Sequence, residues 1–392
     1  MHEIDLFLER RFLGILRIEF YARLRVIFDE ADFLAVEAAG ATTLTNRIRT
    51  NCQVTMEYMF DGPPEFGATL EVAPGVHWLR MPLPMALDHI NLWLIEDGPG
   101  WTLIDTGLYS KHSQKIWQQA IDEHLGGRPL RRVIITHFHP DHIGMAGGLV
   151  ARSGAEFWMT RTEWLYARML TIDIGDGFTD AMVAHYRRAG GSAGYLAGLK
   201  QPGAFFAGLV SEVPRAFRRI GDGEQFEIGG KSWKVVVGNG HSPEHACLLS
   251  AELGLLVSGD LVLPKISPHI GVYGDEPDGD PLRDYLDTLA RFHELPGDAI
   301  VLPSHGEPFV GLHGRLDELI LHHEERLVDF TAACAEPATA IEIAHQVFKR
   351  NLDAGQLGFA AAETVAHLNY LIAEGRVTRR ADEDGVHLYQ AC

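Results

Sequence analysis

Short apolar runs bounded by turn residues recur along the middle of the chain. Segments 76–80, 91–95 and 101–104 alternate or run apolar, and Gly, Pro and Asp separate them. Runs of this length with such boundaries are typical of β-strands. A helical pattern at 113–125 and a further apolar strand at 132–136 follow. Because strands alternate with helices, the pattern predicts an α/β fold.

A second series of strand patterns lies at 232–237, 248–258 and 299–303. Between the two series, helical spacing and several aromatic residues predict a helical insertion at about 160–220. Two interpretations of its aromatic side chains stay open. They either form a lid over the functional edge of the sheets, which would favour a partly apolar substrate, or pack as ordinary core.

The last segment of the chain, 315–392, contains three helical patterns and a terminal hairpin. Gly375 ends the third helix, and Asp384-Gly385 forms the turn between the last two strands. This order predicts a small winged-helix-like domain after a catalytic domain at 56–314. Residues 1–55 form an N-terminal extension with three open interpretations: a disordered segment, an upstream start, or an arm that covers another surface or a dimer partner.

Composition and charge limit the classes of partner that we expect for the protein. Of 392 residues, 46% are apolar and 22% charged, which is ordinary for a globular chain. The formal charge of -19 repels polyanions, so we expect a small-molecule substrate rather than nucleic acid, with a homodimer left open. No stretch approaches the roughly 18 apolar residues of a membrane span. Four scattered cysteines without CxxC spacing predict a cytoplasmic protein.

The strongest chemical signal is the run Thr136-His137-Phe138-His139-Pro140-Asp141-His142, directly after an apolar strand. Three imidazoles and a carboxylate within six residues are metal-binding groups, and such a cluster is not typical of core packing. Alternate side chains leave a strand end in different directions, so this one loop can supply donors to two neighbouring metal ions.

Three further donors each follow a predicted strand and are flanked by Gly or Pro. They are His241, Asp260 and His305. A tight backbone turn beside each donor can present its side chain to a shared pocket. Each pattern is weak alone, but the order of the three residues after the histidine-rich loop strengthens their interpretation as metal ligands.

Together these motifs resemble the metallo-β-lactamase superfamily, and the resemblance covers about residues 65–312. It implies an αββα sandwich with metal ions at one edge. By this likeness, the first ion is held by His137, His139 and His241, the second by Asp141, His142 and His305, and Asp260 bridges the two. The bridging aspartate is similar to that of the glyoxalase II, lactonase and nuclease branches. Asp105 corresponds to the first motif of the superfamily.

A dinuclear site of this kind implies hydrolysis. Two divalent ions, with zinc favoured and manganese or iron as alternatives, share and acidify a water, and the bridging hydroxide attacks the substrate. Asp141 is expected to orient the hydroxide or pass its proton, in addition to binding metal. Asp105 is expected to fix a ligand histidine. His245, four residues after His241, either supports the site, faces the substrate or is structural.

Two kinds of hydrolase fit these residues. The first cleaves an ester, thioester or lactone of a small, partly apolar substrate, similar to the glyoxalase II and acyl-homoserine lactonase branches. The alternative is a metal-dependent endoribonuclease, because a metallo-β-lactamase domain before a winged-helix module also resembles the LACTB2-like branch. Residues 335–392 carry five basic and eight acidic side chains, which disfavours a grip on phosphates. Glu244 stands where, by the resemblance, many relatives have glycine, which argues against S-lactoylglutathione.

Overall fold

The computed structural model describes residues 56–199, 202–349 and 351–392, so the interpretations of residues 1–55 lie outside the described residues. The described elements, in chain order, are β1 (Glu57–Tyr58), β2 (Thr69–Ala73), β3 (Val76–Pro82), β4 (His89–Asp97), β5 (Gly100–Ile104), α1 (Lys111–His124), β6 (Leu130–Ile134), α2 (Pro140–Ile143), α3 (Ala146–Ser153), β7 (Glu156–Met159), α4 (Arg161–Ile172), α5 (Asp176–Arg188), α6 (Ala193–Gly198), α7 (Pro202–Gly208), β8 (Arg218–Arg219), β9 (Gln225–Ile228), β10 (Lys231–Gly238), β11 (His245–Ser250), β12 (Leu255–Gly259), α8 (Pro281–Phe292), β13 (Ile300–Pro303), β14 (Phe309–Val310), α9 (Leu312–Ala333), α10 (Ala340–Val347), α11 (Ala354–Ala373), β15 (Val377–Ala381) and β16 (His387–Ala391).

These strands form two seven-stranded sheets and a separate hairpin. The first sheet has the order β2-β3-β4-β5-β6-β7-β8 and the second the order β1-β14-β13-β12-β11-β10-β9, while β15 pairs with β16. Strand β6 runs parallel to both of its neighbours, and β12 runs parallel to β13. Helix α1 connects β5 to β6, and helix α8 lies between β12 and β13. Parallel pairs need such crossovers, so the predicted α/β class is confirmed.

The two sheets pack face to face, with helices on both outer faces. The core between the sheets includes Trp78 and Trp93 from the first sheet and Trp233 from the second, all fully buried. Helices α1 and α3 bury apolar residues against the outer face of the first sheet. Helices α8, α9 and α11 contribute to the core on the outer face of the second sheet. This layering is the αββα arrangement that the resemblance implies.

The C-terminal part contains three helices and the β15–β16 hairpin, as its sequence pattern predicts. The third helical pattern of this segment, 360–374, predicts a helix start near Ala360. Helix α11 begins at Ala354 instead, because Asp353 and Gln356 form a reciprocal capping pair there. The winged-helix likeness and the domain boundary at 315 stay predictions, since residues 56–392 form one compact unit. Within the described ranges, no helix is long and apolar enough to cross a membrane.

Candidate metal centre

The carboxyl ends of strands from both sheets meet at one edge of the sandwich. In the first sheet, β5 ends before Asp105 and β6 ends before the loop 137–142. In the second sheet, β12 and β13 end directly before Asp260 and shortly before His305, and β10 ends three residues before His241. Residues far apart in the chain are therefore delivered to the same place by strand topology.

The seven predicted ligands form two adjacent clusters. His137, His139, His241 and Asp260 make the first cluster, and Asp141, His142 and His305 make the second. Within each cluster the ligand atoms lie within 4.8 Å of one another. In the first cluster, the Nε2 of His137 lies 2.9 Å from the Nδ1 of His139.

Asp260 lies between the two clusters. Its Oδ2 is 3.4 Å from the Nε2 of His241 and 3.5 Å from the Nε2 of His142. Its Oδ1 is 3.4 Å from the Nε2 of His305. One carboxylate therefore contacts imidazoles of both groups, which is the position that a bridging ligand requires.

Backbone carbonyls fix the orientation of two ligand imidazoles. The Nδ1 of His241 donates to the carbonyl of His269 at 2.8 Å, and the Nδ1 of His305 donates to the carbonyl of His89 at 2.7 Å. A neutral ring that donates from Nδ1 has its lone pair on Nε2, the atom that faces the centre in both residues. This pattern of support behind ligand histidines is typical of metal sites.

Asp105 holds the His142 ring and the start of the ligand loop. Its carboxylate accepts a hydrogen bond from the Nδ1 of His142 at 2.8 Å, and two more from the backbone and hydroxyl of Thr136 at 2.9 and 2.8 Å. The Thr136 hydroxyl in turn lies 3.0 Å from the Nδ1 of His137. Asp105 has φ 57°, which makes it the one non-glycine residue with positive φ in the described part of the chain. This supporting geometry is the one that the sequence predicts for Asp105.

Two buried polar atoms at the junction of the clusters support metal binding. The Nε2 of His142 and the Oδ1 of Asp260 have no hydrogen-bond partner among the described residues. Buried polar atoms in folded proteins are nearly always partnered, so both atoms call for a ligand. Imidazole nitrogens and carboxylate oxygens suit zinc and related divalent ions, so the residues present fit two such ions.

The electrostatics separate the ligand rings into two kinds. Burial lowers the pKa of His139 to about 3 and that of His137 well below its usual range, so both rings are neutral and ready to bind a cation. Burial acts the same way on His305, but the carboxylates of Asp260 and Asp141 outweigh it and raise its pKa to about 10. The side of the centre near the carboxylates therefore favours positive charge.

His245 lies behind the centre and is completely buried. Its Nε2 accepts a hydrogen bond from the backbone N–H of Asp260 at 3.1 Å, and its ring stacks on His137 with centroids 4.7 Å apart. Gly259 permits this contact, because a Cβ there would lie 2.3 Å from the His245 ring and φ is +55°. The sequence leaves three roles open for His245: support of the site, contact with substrate, or a structural role. Its buried position behind Asp260 favours support of the site over contact with substrate.

Glu163, at the start of α4, is a supporting residue that the sequence analysis missed. Its side chain is completely buried and spans the two loops that carry the first cluster. Oε2 accepts from the backbone of Phe138 at 2.9 Å, and Oε1 accepts from the Ser242 hydroxyl and the Glu244 backbone, both at 2.7 Å. Burial raises the pKa of Glu163 to about 7, although these hydrogen bonds oppose the shift.

Local sequence gives a misleading signal at Glu163. Thr160 to Glu163 has the form of a helix capping box, which would assign the glutamate to the helix start. Instead, the Thr160 hydroxyl donates to the backbone carbonyl of Glu244 at 2.8 Å, and the Glu244 carboxylate accepts from the Thr162 N–H at 2.7 Å. The start of α4 and the loop after His241 are thus joined in both directions, a tertiary contact that no local pattern reveals.

Aromatic residues of the predicted insertion divide between core and cavity. Trp164 stacks on Phe217 at 4.5 Å and packs with the core of the first sheet. Tyr166 packs on Phe138, with centroids 5.3 Å apart, and lines a cavity beside His139. Trp164 thus packs as core, Tyr166 lines the cavity, and the interpretation of the insertion as a lid stays a prediction.

Two cavities flank the centre. The first has a volume of about 150 Å³ and is lined by His139 and His241 together with Phe138, Tyr166 and acidic side chains. The second, of about 250 Å³, lies beside His305. Candidate metal ligands therefore line both cavities.

Comparison with known proteins supports the geometry. Residues 86–305 match the family described as "Metallo-beta-lactamase superfamily", and residues 327–392 match "Metallo-beta-lactamase-like, C-terminal domain". The crystal structure of a beta-lactamase domain protein from Burkholderia ambifaria has a TM-score of 0.80 and 40% identity, covering 87% of this chain and 100% of that one.

Curated relatives are more distant. "Beta-lactamase-like protein 2 homolog" of Drosophila melanogaster is 25% identical over 323 residues, which is 79% of this chain and 91% of that protein. "Lactamase-like protein vrtG" of Penicillium aethiopicum is 25% identical over 276 residues, or 69% of this chain and 70% of that protein. The chain spans only 61% and 60% of the length of two further fungal lactamase-like relatives.

Proposed function

The chain belongs to the metallo-β-lactamase superfamily, and from this premise we propose that it is a dinuclear metal-dependent hydrolase that cleaves an ester, thioester or lactone of a small, partly apolar substrate. The observation that carries the proposal is the position of Asp260 between two histidine clusters, with unpartnered buried atoms on both sides of the junction. Two divalent ions, when bound, would acidify a shared water and polarise the carbonyl under attack.

The residues around the centre have separable tasks. Asp141 lies 3.4 Å from the Nε2 of His305 and is more exposed than Asp260, at 19% against 10% of its side chain. Its carboxylate can therefore both hold a cation and accept a proton from the side of the substrate. Asp105 and His245 are proposed to keep a ligand ring and the Asp260 backbone in position.

The cavity beside His139 favours an acyl substrate over a polynucleotide. Phe138 and Tyr166 give it an apolar wall. The same cavity is lined by four carboxylates, from Asp275, Glu276, Asp280 and Asp284. Acidic groups this close to the reacting bond repel a phosphate backbone.

The basic residues of the C-terminal hairpin are partly engaged within the protein. Arg379 forms an ion pair with Asp278 at 2.9 Å, and Arg376 donates to the Thr331 hydroxyl at 3.0 Å. Arg380 is exposed. An RNA-binding track needs several free cations in a row, so this arrangement favours the ester, thioester or lactone substrate over the endoribonuclease alternative.

A substrate screen tests the proposal. Purified protein with a measured metal content is assayed against esters, thioesters, lactones, a β-lactam and single-stranded RNA. We expect hydrolysis of an acyl substrate, and loss of both turnover and bound metal in His139→Ala and Asp260→Ala. His112→Ala, an exposed histidine on α1, serves as the control and should keep both. Cleavage of RNA alone, abolished by His139→Ala, would establish the endoribonuclease instead, and full activity of metal-free Asp260→Ala would refute the metal mechanism.

A further inference from the structure

The cavity beside His305 combines two cations with an apolar lining. Its walls include Arg80 and Lys265, together with Leu87 and Ile266, and its volume is about 250 Å³. This volume is slightly below the roughly 300 Å³ at which pockets for drug-sized ligands begin, so the cavity suits one short segment of a substrate. The segment would lie directly against a ligand of the second metal cluster.

Arg80, on β3, has one donor that is unpartnered within the described part of the chain, and a loose ion pair with an exposed acid. Its Nε has no partner among the described residues, and its Nη2 lies 3.6 Å from Asp88, beyond hydrogen-bond range. Asp88 is 68% exposed, so this ion pair is screened by solvent. The guanidinium lies 5.0 Å from the centre of the Phe66 ring, which supports it from one side. Planar guanidinium groups bind carboxylates through two parallel hydrogen bonds.

Lys265 approaches the same cavity from the loop after Asp260. It is exposed and forms no ion pair with a described acid, and its Nζ lies 5.3 Å from the centre of the Tyr58 ring. The buried Arg315 fixes this loop, because its guanidinium donates to the carbonyls of Leu263 and Ile266 on either side of the lysine, at 2.6 and 3.0 Å. The second cation is therefore held in place at its backbone.

Charge is distributed unequally across the metal centre. The cavity beside His139 is lined by four acids, and Arg283, next to it in the chain, is engaged by Asp280 and Glu374 at 3.0 and 2.6 Å. The cavity beside His305 has two cations against one lining acid, Glu307. In a chain with a net charge of -19, Lys265 and an arginine paired only with the exposed Asp88 give this side of the centre a different charge from the other, which can distinguish the ends of a substrate.

We propose that the cavity beside His305 is a carboxylate-binding subsite, in which Arg80 and Lys265 hold an anionic end of the substrate while its scissile acyl bond lies at the metal centre. The substrate class is then an ester, thioester or lactone that carries a free carboxylate on a short aliphatic spacer. Leu87 and Ile266 contact the spacer. This inference rests on the proposed hydrolase function and adds a determinant of specificity to it.

Matched thioesters test the subsite by turnover. The ethyl thioester of pentanoic acid is compared with the mono-ethyl thioester of glutaric acid, which has the same chain length and a terminal carboxylate. Because the carboxylate of the glutaryl compound can form hydrogen bonds to charged groups, we expect wild type to prefer it by about 10- to 100-fold in kcat/KM, mainly through a lower KM. In Arg80→Gln the ratio should fall close to one, Lys265→Gln should lower it partly, and Arg80→Lys should restore part of it.

A binding measurement separates this inference from the proposed function. Isothermal titration calorimetry of the zinc-loaded protein compares hexanoate with hexanamide. We expect hexanoate to bind about 10- to 100-fold more weakly to Arg80→Gln than to wild type. Arg152→Gln, an equal change on the exposed face of α3, is the control and should bind as wild type does.

Each result decides between the two claims. Hydrolysis of both thioesters with the same ratio in wild type and Arg80→Gln would overturn the subsite and leave the hydrolase intact. If neither thioester is hydrolysed but hexanoate binding still depends on Arg80, the thioesterase activity fails and the subsite stands. Equal hexanoate binding to wild type and Arg80→Gln would mean that the metal ions alone bind the carboxylate, which would refute the inference.

Discussion

Replacement of Glu163 by glutamine tests how the first metal cluster is held. The side chain keeps its size, but one of its two acceptor oxygens becomes an NH2 group. Both carboxylate oxygens of Glu163 accept hydrogen bonds, one from Phe138 and the other from Ser242 and Glu244. Either orientation of the amide therefore sets a donor against a donor, on the loop of His139 or on the loop of His241.

The size of the effect follows from these contacts. In the less costly orientation the amide oxygen keeps the two bonds at 2.7 Å, and the backbone N–H of Phe138 loses its acceptor. A buried donor left without a partner costs about 1–3 kcal/mol. The loop 137–142 can relieve this cost by moving away from Glu163. Such a movement would displace His137 and His139, which flank Phe138. We expect the affinity of the first ion to fall about 10- to 100-fold, as is common when the support of a ligand is removed.

Chelator competition measures this change for both ions. Apo protein is titrated with zinc in the presence of a chromogenic chelator at about pH 8, where Glu163 is ionised because its pKa lies near 7. Wild type should take up two ions per chain. Glu163→Gln should keep the affinity of the second ion, because Glu163 accepts hydrogen bonds from Phe138, Ser242 and Glu244 and not from the residues of the second cluster. Thermal unfolding of the apo protein reports whether the variant is folded.

A surface substitution provides the control for the Glu163 experiment. Glu212→Gln makes the same chemical change on a side chain that is 75% exposed, and it should bind both ions as wild type does. Wild-type affinity for both ions in a folded Glu163→Gln would show that the hydrogen bonds of Glu163 do not position the first cluster. Equal loss of both ions in the folded variant would show that the two clusters are not supported separately.

Three further predictions concern the supporting residues and one ion pair. Asp105→Asn tolerates the positive φ but turns one acceptor into a donor, so chelator competition should show a second ion bound about 10- to 100-fold more weakly. Gly259→Ala places a Cβ 2.3 Å from His245 and should destabilise the protein by about 1–3 kcal/mol in urea unfolding. Gly254→Ala, with φ +62° in open space, measures the cost of backbone strain alone. Burial raises the pKa of Asp97, but an arginine hydrogen bond and three weaker contributions outweigh it and hold the pKa below 3.8. The resulting stability is present above about pH 3.8 and lost as pH falls through the lower folded value, so metal-free wild type should lose urea resistance below that pH more steeply than Asp97→Asn.

The strands and helices show where local pattern suffices. Strand β5 and the turn before it appear where the apolar pattern and turn residues place them. The sequence Asp280-Pro281-Leu282 has a capping residue followed by proline, which predicts a helix start, and α8 begins there. Strand β6 ends at Ile134 instead of the predicted Thr136, because the Thr136 N–H donates to the Asp105 carboxylate and its carbonyl accepts from Ala246 of the other sheet. Both partners come from distant parts of the chain, so a local pattern cannot reveal this end point.

The sequence by itself determined which residues are the candidate metal donors. The histidine-rich loop, His241, Asp260 and His305 are each readable because donor residues beside Gly or Pro at a strand end are a local signal. The resemblance implies a division of those donors into two groups with Asp260 between them, and the tertiary structure places the side chains in that arrangement. Only the tertiary structure decided that Glu163 joins two ligand loops, that cations line the cavity beside His305 and that acids line the cavity beside His139. The physical reason is that these contacts join residues of different sheets and loops, whose separation is set by strand order and packing rather than by spacing in the chain.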